Sequence, residues 1–131
     1  MCGIFAILDN SNFSNNETSL INKSFSKGKH RGPENSVLKN VMLKSMFGFH
    51  RLAINGLNQE SNQPILYKDI ILICNGEIYN YKELYSLLNI EPTTDSDCEI
   101  IIHLYIHFGI EQTLELLDGV FAFCLLHLLC F

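Results

Sequence analysis

Charge is scarce in this 131-residue chain: Asp, Glu, Lys and Arg make up 18% of it, against roughly a quarter in an average soluble domain. The formal balance is 9 − 14 = −5, and the basic residues form no run longer than the scattered Lys27, Lys29 and Arg31. Phosphate-backbone binding needs a positive field, so the composition argues against a nucleic-acid partner. So little charge also means a small wetted surface, and some faces are expected to be covered by further protein. The five cysteines are odd in number and contain no CxxC, which argues against a disulfide framework. No histidine falls at metal-ligand spacing from them, and His103 with His107 has no third ligand at a sensible distance, so no metal is expected. A reducing compartment, the cytoplasm, fits this thiol usage. The apolar run Cys2 to Leu8 is too short and wrongly flanked for a signal peptide. The run from Val120 to Phe131 falls short of the roughly 20 residues a membrane span needs. Internal repeats and low-complexity stretches are absent.

The chain does have material for a packed core, 47% hydrophobic, in a length suited to one domain over residues 1–131. Cys2 to Leu8 reads as a buried strand, followed by a polar loop from Asp9 to Asn16. Asn16 is placed to cap a helix starting at Glu17, with Leu20, Ile21 and Phe25 at helical spacing and Gly28 at its end. Lys29 to Pro33 is a loop. Strands are predicted at Val37 to Leu43, Met46 to Ile54, Ile65 to Tyr67 and Ile70 to Cys74, with Lys68-Asp69 as the tight turn between the last two. Asn75-Gly76-Glu77 closes that strand. Helical periodicity follows over Tyr79 to Leu88 and Asp97 to Phe108, with Asp97 as N-cap, then over Glu111 to Leu117. A last strand starts at Val120. Strand pairs and helices without a regular βαβ rhythm predict antiparallel sheets covered by helices.

Cys2 carries the most chemistry. Removal of Met1 would make it the mature N-terminus, and its own α-amine, with a reference pKa of about 7.7–8.0, could then take the thiol proton. That is nucleophilic catalysis without a histidine base. Alone, Cys2 reads first as a buried core cysteine.

Its company decides. The chain holds Cys2-Gly3-Ile4-Phe5-Ala6-Ile7, His30-Arg31-Gly32-Pro33-Glu34, Phe49-His50-Arg51-Leu52-Ala53-Ile54 and Asn75-Gly76-Glu77-Ile78-Tyr79-Asn80. Ser96-Asp97-Cys98-Glu99-Ile100 and Leu117-Asp118-Gly119-Val120-Phe121-Ala122-Phe123 follow in order. This set resembles the class II glutamine amidotransferase domain of glutamine-hydrolysing asparagine synthetases, over residues 2 to about 125. The resemblance implies an N-terminal-nucleophile hydrolase fold of the α+β class. In it two antiparallel β-sheets stack between helical layers (αββα), and the cysteine starts a central strand.

It also implies the site. Cys2 is the nucleophile, and Asn75 with Gly76 forms the oxyanion hole. Arg51, Leu52, Ile54, Asn75, Gly76, Glu77 and Asp97 bind glutamine. The residue chemistry agrees: a planar guanidinium suits the substrate carboxylate, and a carboxylate suits its ammonium. Each has a plainer reading in isolation, Arg51 as a surface arginine, Asp97 as a helix cap and Asn75-Gly76 as a turn. The loop at His30 to Pro33 resembles a cover over the site, with Glu34 where the family commonly shows aspartate. Cys74, Cys98, Cys124 and Cys130 sit in apolar runs and read as packing residues.

The resemblance implies further strands after Phe123, and then an ATP-using domain. No Ser-Gly-Gly-x-Asp-Ser loop occurs, so ATP and Mg are expected only in a synthetase domain or a separate polypeptide. The chain is therefore expected to be incomplete at its C-terminal side. Two functions stand: a glutaminase feeding ammonia to asparagine synthesis, or a non-catalytic truncated remnant or glutamine-binding module without turnover.

Overall fold

The computed structural model describes residues 2–8, 14–42, 45–53 and 58–129. Within them the chain is α+β, with two antiparallel three-stranded sheets and three helices. In the first sheet β1 (Gly3–Leu8) pairs with β3 (Ser45–Arg51), whose other edge pairs with β2 (Asn35–Met42). In the second, β4 (Ile65–Tyr67) pairs with β5 (Ile70–Ile78), and β5 pairs along its whole length with β6 (Gly119–His127). Helix α1 (Asn15–Ser26) follows β1, while α2 (Tyr81–Leu88) and α3 (Ile100–Leu116) fall between β5 and β6.

The alternation of β5 sets the layers. Ile70, Leu72, Cys74 and Ile78 point one way, into a core closed by Leu84 and Tyr85 of α2 and by Ile100, Ile101, Ile102 and Leu104 at the start of α3. Ile71 and Ile73 point the other way and meet Phe47 and Phe49 of β3, with Ile4 and Cys2 packed against them. A strand covered on both faces reads as an unbroken apolar run, as Ile70 to Cys74 does. On the outer face of the first sheet, Phe25 of α1 meets Phe5 edge-on at 5.7 Å and stacks on His50 at 4.0 Å. His50 Nε2 lies 2.8 Å from the Phe25 carbonyl, an obligate acceptor, so Nε2 carries the hydrogen. Nδ1 then accepts from the Ser36 hydroxyl at 2.8 Å. The layer order is therefore helix, sheet, sheet, helices.

The elements differ from the sequence reading in several places. Helix α1 starts earlier than Glu17, because Ser14 and not Asn16 is its cap. Ser14 Oγ accepts from the Glu17 N–H at 3.3 Å, and the Glu17 carboxylate accepts the Ser14 N–H at 2.7 Å, a reciprocal capping box. Asn75 to Glu77 lie inside β5, which reaches Ile78, because β6 supplies partners as far as Gly119. Asp97 does not cap the following helix. It opens a short 3-10 turn, Asp97–Glu99, and its carboxylate goes to another element. The two helices expected on either side of residue 109 are both there, meeting within α3 at a break at Gly109, where φ is +77°. Only glycine takes that conformation without strain. Among the described residues β1 is an edge strand rather than a central one, since β3 is its sole partner.

Candidate functional site

The two sheets and the segment before α3 enclose a cavity of about 200 Å³. That is below the roughly 300–1,000 Å³ of drug-sized sites and suits a ligand the size of an amino acid. Cys2, Arg51, Leu52, Asn75, Gly76, Glu77 and Asp97 all line it. Ile54, the remaining predicted contact, lies outside the described residues. A second cavity of about 260 Å³ also reaches Cys2 and Asn75, bordered by Gly28, Arg31 and His50.

Cys2 stands just before β1, half-buried, with its thiol on the main chain of Leu52. Sγ accepts from the Leu52 N–H at 3.3 Å and lies 3.4 Å from the Leu52 carbonyl. Leu52 thus contributes through its backbone, at the end of β3 where pairing stops. Arg31 Nε donates to the Cys2 carbonyl at 3.0 Å, so the 3-10 turn Lys29–Arg31 grips the start of β1. The same segment is held to β3 by Glu34. Its N–H donates to the Arg51 carbonyl at 3.2 Å and its carboxylate accepts the Ala53 N–H at 2.9 Å.

Arg51, at the end of β3, is 9% exposed. Its Nη1 donates to Asn62 Oδ1 at 2.6 Å and to the Asn58 carbonyl at 3.2 Å, which fixes the direction of the guanidinium. Asp97, 5% exposed, accepts the Ile78 N–H at 2.7 Å and so ties the segment before α3 to β5. Gly76 admits no side chain. A Cβ there would stand 2.5 Å from both Phe121 Cα and the Val120 carbonyl oxygen, backbone that cannot yield easily.

Sequence reasoning passed over Gln63. Strand β4 ends its pairing with β5 at Ile65 opposite Leu72, and among the described residues no strand covers that edge of β5 from there on. The buried Gln63 side chain takes over: Oε1 accepts the Cys74 N–H at 2.6 Å and Nε2 donates to the Cys74 carbonyl at 3.0 Å. It also passed over Glu99, wholly buried beside Asp97. Its carboxylate accepts from Thr93 N–H at 2.9 Å, Thr93 Oγ1 at 2.8 Å, Thr94 N–H at 2.6 Å and His103 Nε2 at 3.0 Å. Burial alone would raise its pKa, but the hydrogen bonds from His103, Thr94 and Thr93 outweigh it and lower the value to about 2. No local signal in the sequence announces the role of Gln63, whose partner is main chain eleven residues on. Glu99 is held by groups four to six residues away, of which His103 at i+4 is the one signal the sequence offers. Of the two histidines on α3, His103 is buried on Glu99 and His107 is exposed.

Three thiols line the cavity, Cys2, Cys74 and Cys98. The Cys98 thiol, through its hydrogen bond with Cys74 and then through burial, is pushed far above the usual thiol range and stays protonated. Only the thiolate is nucleophilic, so Cys98 is inert. Cys74 is buried in the core and Cys124 packs between the two sheets, as predicted for packing residues, while Cys130 lies outside the described residues. Burial raises the Cys124 pKa as well. Among the described residues no helix is long and apolar enough to cross a membrane.

Residues 1–128 match the family described as a glutamine amidotransferase domain. The chain is 44% identical over 133 residues to the glutamine-hydrolyzing asparagine synthetase of Gallus gallus, covering 96% of this chain and 22% of that protein. The Bos taurus and Homo sapiens proteins of the same name are 45% and 44% identical over 132 and 131 residues, with the same coverage. The chain thus spans about a fifth of the length of these relatives. With the match running through every strand and helix described, the chain belongs to the glutamine amidotransferase domain family.

Proposed function

We propose that this chain is a glutaminase of the N-terminal-nucleophile type, the ammonia-producing part of a glutamine-hydrolysing asparagine synthetase. The observation that carries the reading is the meeting of Cys2, Asn75, Gly76, Arg51 and Asp97 in one small cavity. With Met1 removed, the Cys2 amine takes the thiol proton. The thiolate then attacks the side-chain carbonyl carbon of glutamine, and negative charge passes to the oxygen. The Asn75 side-chain amide and the Gly76 N–H bind that charge, usually the largest electrostatic contribution to such a barrier. The protonated amine gives its proton to the leaving nitrogen, so ammonia departs and a γ-glutamyl thioester remains on Cys2. Water then releases glutamate and restores the thiol.

Arg51 takes the substrate carboxylate and Asp97 its ammonium, with Glu77 beside the amino end. The ammonia serves asparagine formation on a synthetase domain or separate polypeptide, where ATP and Mg act. Four free thiols among the described residues fit a reducing, cytoplasmic setting. Release of ammonia and glutamate from glutamine by the purified chain tests the reading. Glutamine binding without turnover would instead establish a binding module.

A further inference from the structure

The glutaminase reading leaves open what holds the oxyanion donors still, and the bare edge of β5 answers it. In an antiparallel strand, residues of one parity send N–H and C=O to one edge and residues of the other parity to the opposite edge. The Cys74 N–H and C=O go to the Gln63 side chain, away from β6. Ile78, of the same parity, sends its N–H to the Asp97 carboxylate on that edge. Gly76 lies midway between them and shares their parity, and its carbonyl sits 4.0 Å from Cys98 Sγ on the same side. Three successive N–H groups therefore face the cavity edge. Two are held by side chains, and the Gly76 N–H stands between them.

We propose that Gln63 is a positioning residue for amide hydrolysis: its side-chain amide replaces the missing strand at Cys74 and fixes Asn75 and Gly76 against Cys2. The structure supports this at each step. Register from Ile65 opposite Leu72 would place residue 63 opposite Cys74, but β4 starts only at Ile65. A second backbone strand there would run into the space the substrate needs beside Gly76. A planar side-chain amide satisfies one residue's donor and acceptor and then stops. Gln63 is 7% exposed, and its Oε1 and Nε2 are both turned onto the Cys74 main chain. Its effect is on the placement of the donors, and a displacement of about 1 Å in such a group can cost about 10²-fold in rate.

The test compares the parent chain with Gln63→Leu and Gln63→Glu. Leucine removes both hydrogen bonds. Glutamate keeps shape and an oxygen for the Cys74 N–H but gives the Cys74 carbonyl no donor. Three quantities are read: kcat and KM for glutamine, the rate at which iodoacetamide alkylates Cys2, and the melting temperature. Alkylation displaces iodide from a saturated carbon and builds no oxyanion, so it reports the thiol without the hole. Expected is a fall in kcat of roughly 10- to 100-fold in Gln63→Leu, bounded by the roughly 10²–10³-fold that losing a donor outright costs. KM and the alkylation rate should stay within about threefold, with Gln63→Glu between the two. Should Gln63→Leu melt below the assay temperature, Gln63→Glu alone decides by the same split. Unchanged kcat in a folded variant, or kcat, KM and alkylation falling together, would overturn the positioning role while leaving the glutaminase reading intact. A parent chain with no turnover would remove both.

Discussion

The thiol of Cys2 is held by two backbone atoms of Leu52 and the carbonyl of Cys2 by Arg31, so the proposed nucleophile is oriented before any substrate arrives. At this scale the roles separate cleanly. Cys2→Ala should abolish turnover and leave glutamine affinity within a few-fold, measured by ammonia release and calorimetric titration. An active preparation whose mass shows Met1 intact would rule out the amine as base. Arg51→Ala removes a contact made in ground and transition states alike and should raise KM. Asn75→Ala removes a donor that matters once the oxyanion exists and should lower kcat by roughly 10²–10³-fold. Steady-state kinetics with the two effects exchanged would show the assignments reversed. Two other cavity-lining thiols, Cys74 and Cys98, should not substitute for Cys2, because Cys98 stays protonated and Cys74 lies in the core.

The strand β5 is the element on which the site is built. One edge is spent on β6, and the other is shared out among β4, Gln63 and Asp97. Gly76 is required twice over on this strand, since its lack of a Cβ also permits the approach of Phe121 and Val120. Gly76→Ala should therefore destabilise the protein by roughly 1–3 kcal/mol through overpacking, seen as a lower urea midpoint, besides any kinetic effect. Unchanged stability would mean that β6 can move aside. Helix α1 offers a simpler case. Ser14→Ala breaks its capping box and should cost about 1 kcal/mol, a drop of a few degrees in Tm. The motif Ser14-x-x-Glu17 was readable in the sequence, yet Asn16 competes with Ser14 as a cap candidate. The choice falls to Ser14 because it alone has Glu17 three residues on to close the box.

Over the whole molecule, one buried charge decides the response to acid, tying the segment at Thr93 and Thr94 to the start of α3. Glu99 keeps its negative charge because four hydrogen bonds replace its water. Its pKa falls from the ordinary 4.5 to about 2, so between those values the unfolded chain holds a proton that the folded chain does not. Stability is fully present above about pH 4.5 and is lost as pH falls toward 2, by roughly 3 kcal/mol from this group. Glu99→Gln should lower stability at pH 7 and flatten the dependence between pH 4.5 and 2, measured by urea unfolding across that range. An unaltered slope would place the acid sensitivity elsewhere. The Tyr85 hydroxyl nearby is buried with no hydrogen-bond partner among the described residues. Burial first, and then the charges of Glu99 and Asp97, push its pKa well up, so it stays neutral.

What the sequence determined by itself was local or typed by chemistry. The apolar run of Ile70 to Cys74 predicted a strand, Lys68-Asp69 the tight turn before it, and the ordered motifs named Cys2, Arg51, Asn75, Gly76 and Asp97. The strand, the turn and the gathering of those side chains are all found in the fold. The tertiary structure alone decided where non-local hydrogen bonds went. Asp97 has the sequence position of a helix cap, but the Ile78 N–H, unpaired at the bare edge of β5, claims its carboxylate. Gln63 looks like a loop residue until Cys74 is seen opposite it. A buried N–H must find an acceptor. Which one is available depends on which strands end where, and that follows from the packing of both sheets together rather than from any window of sequence.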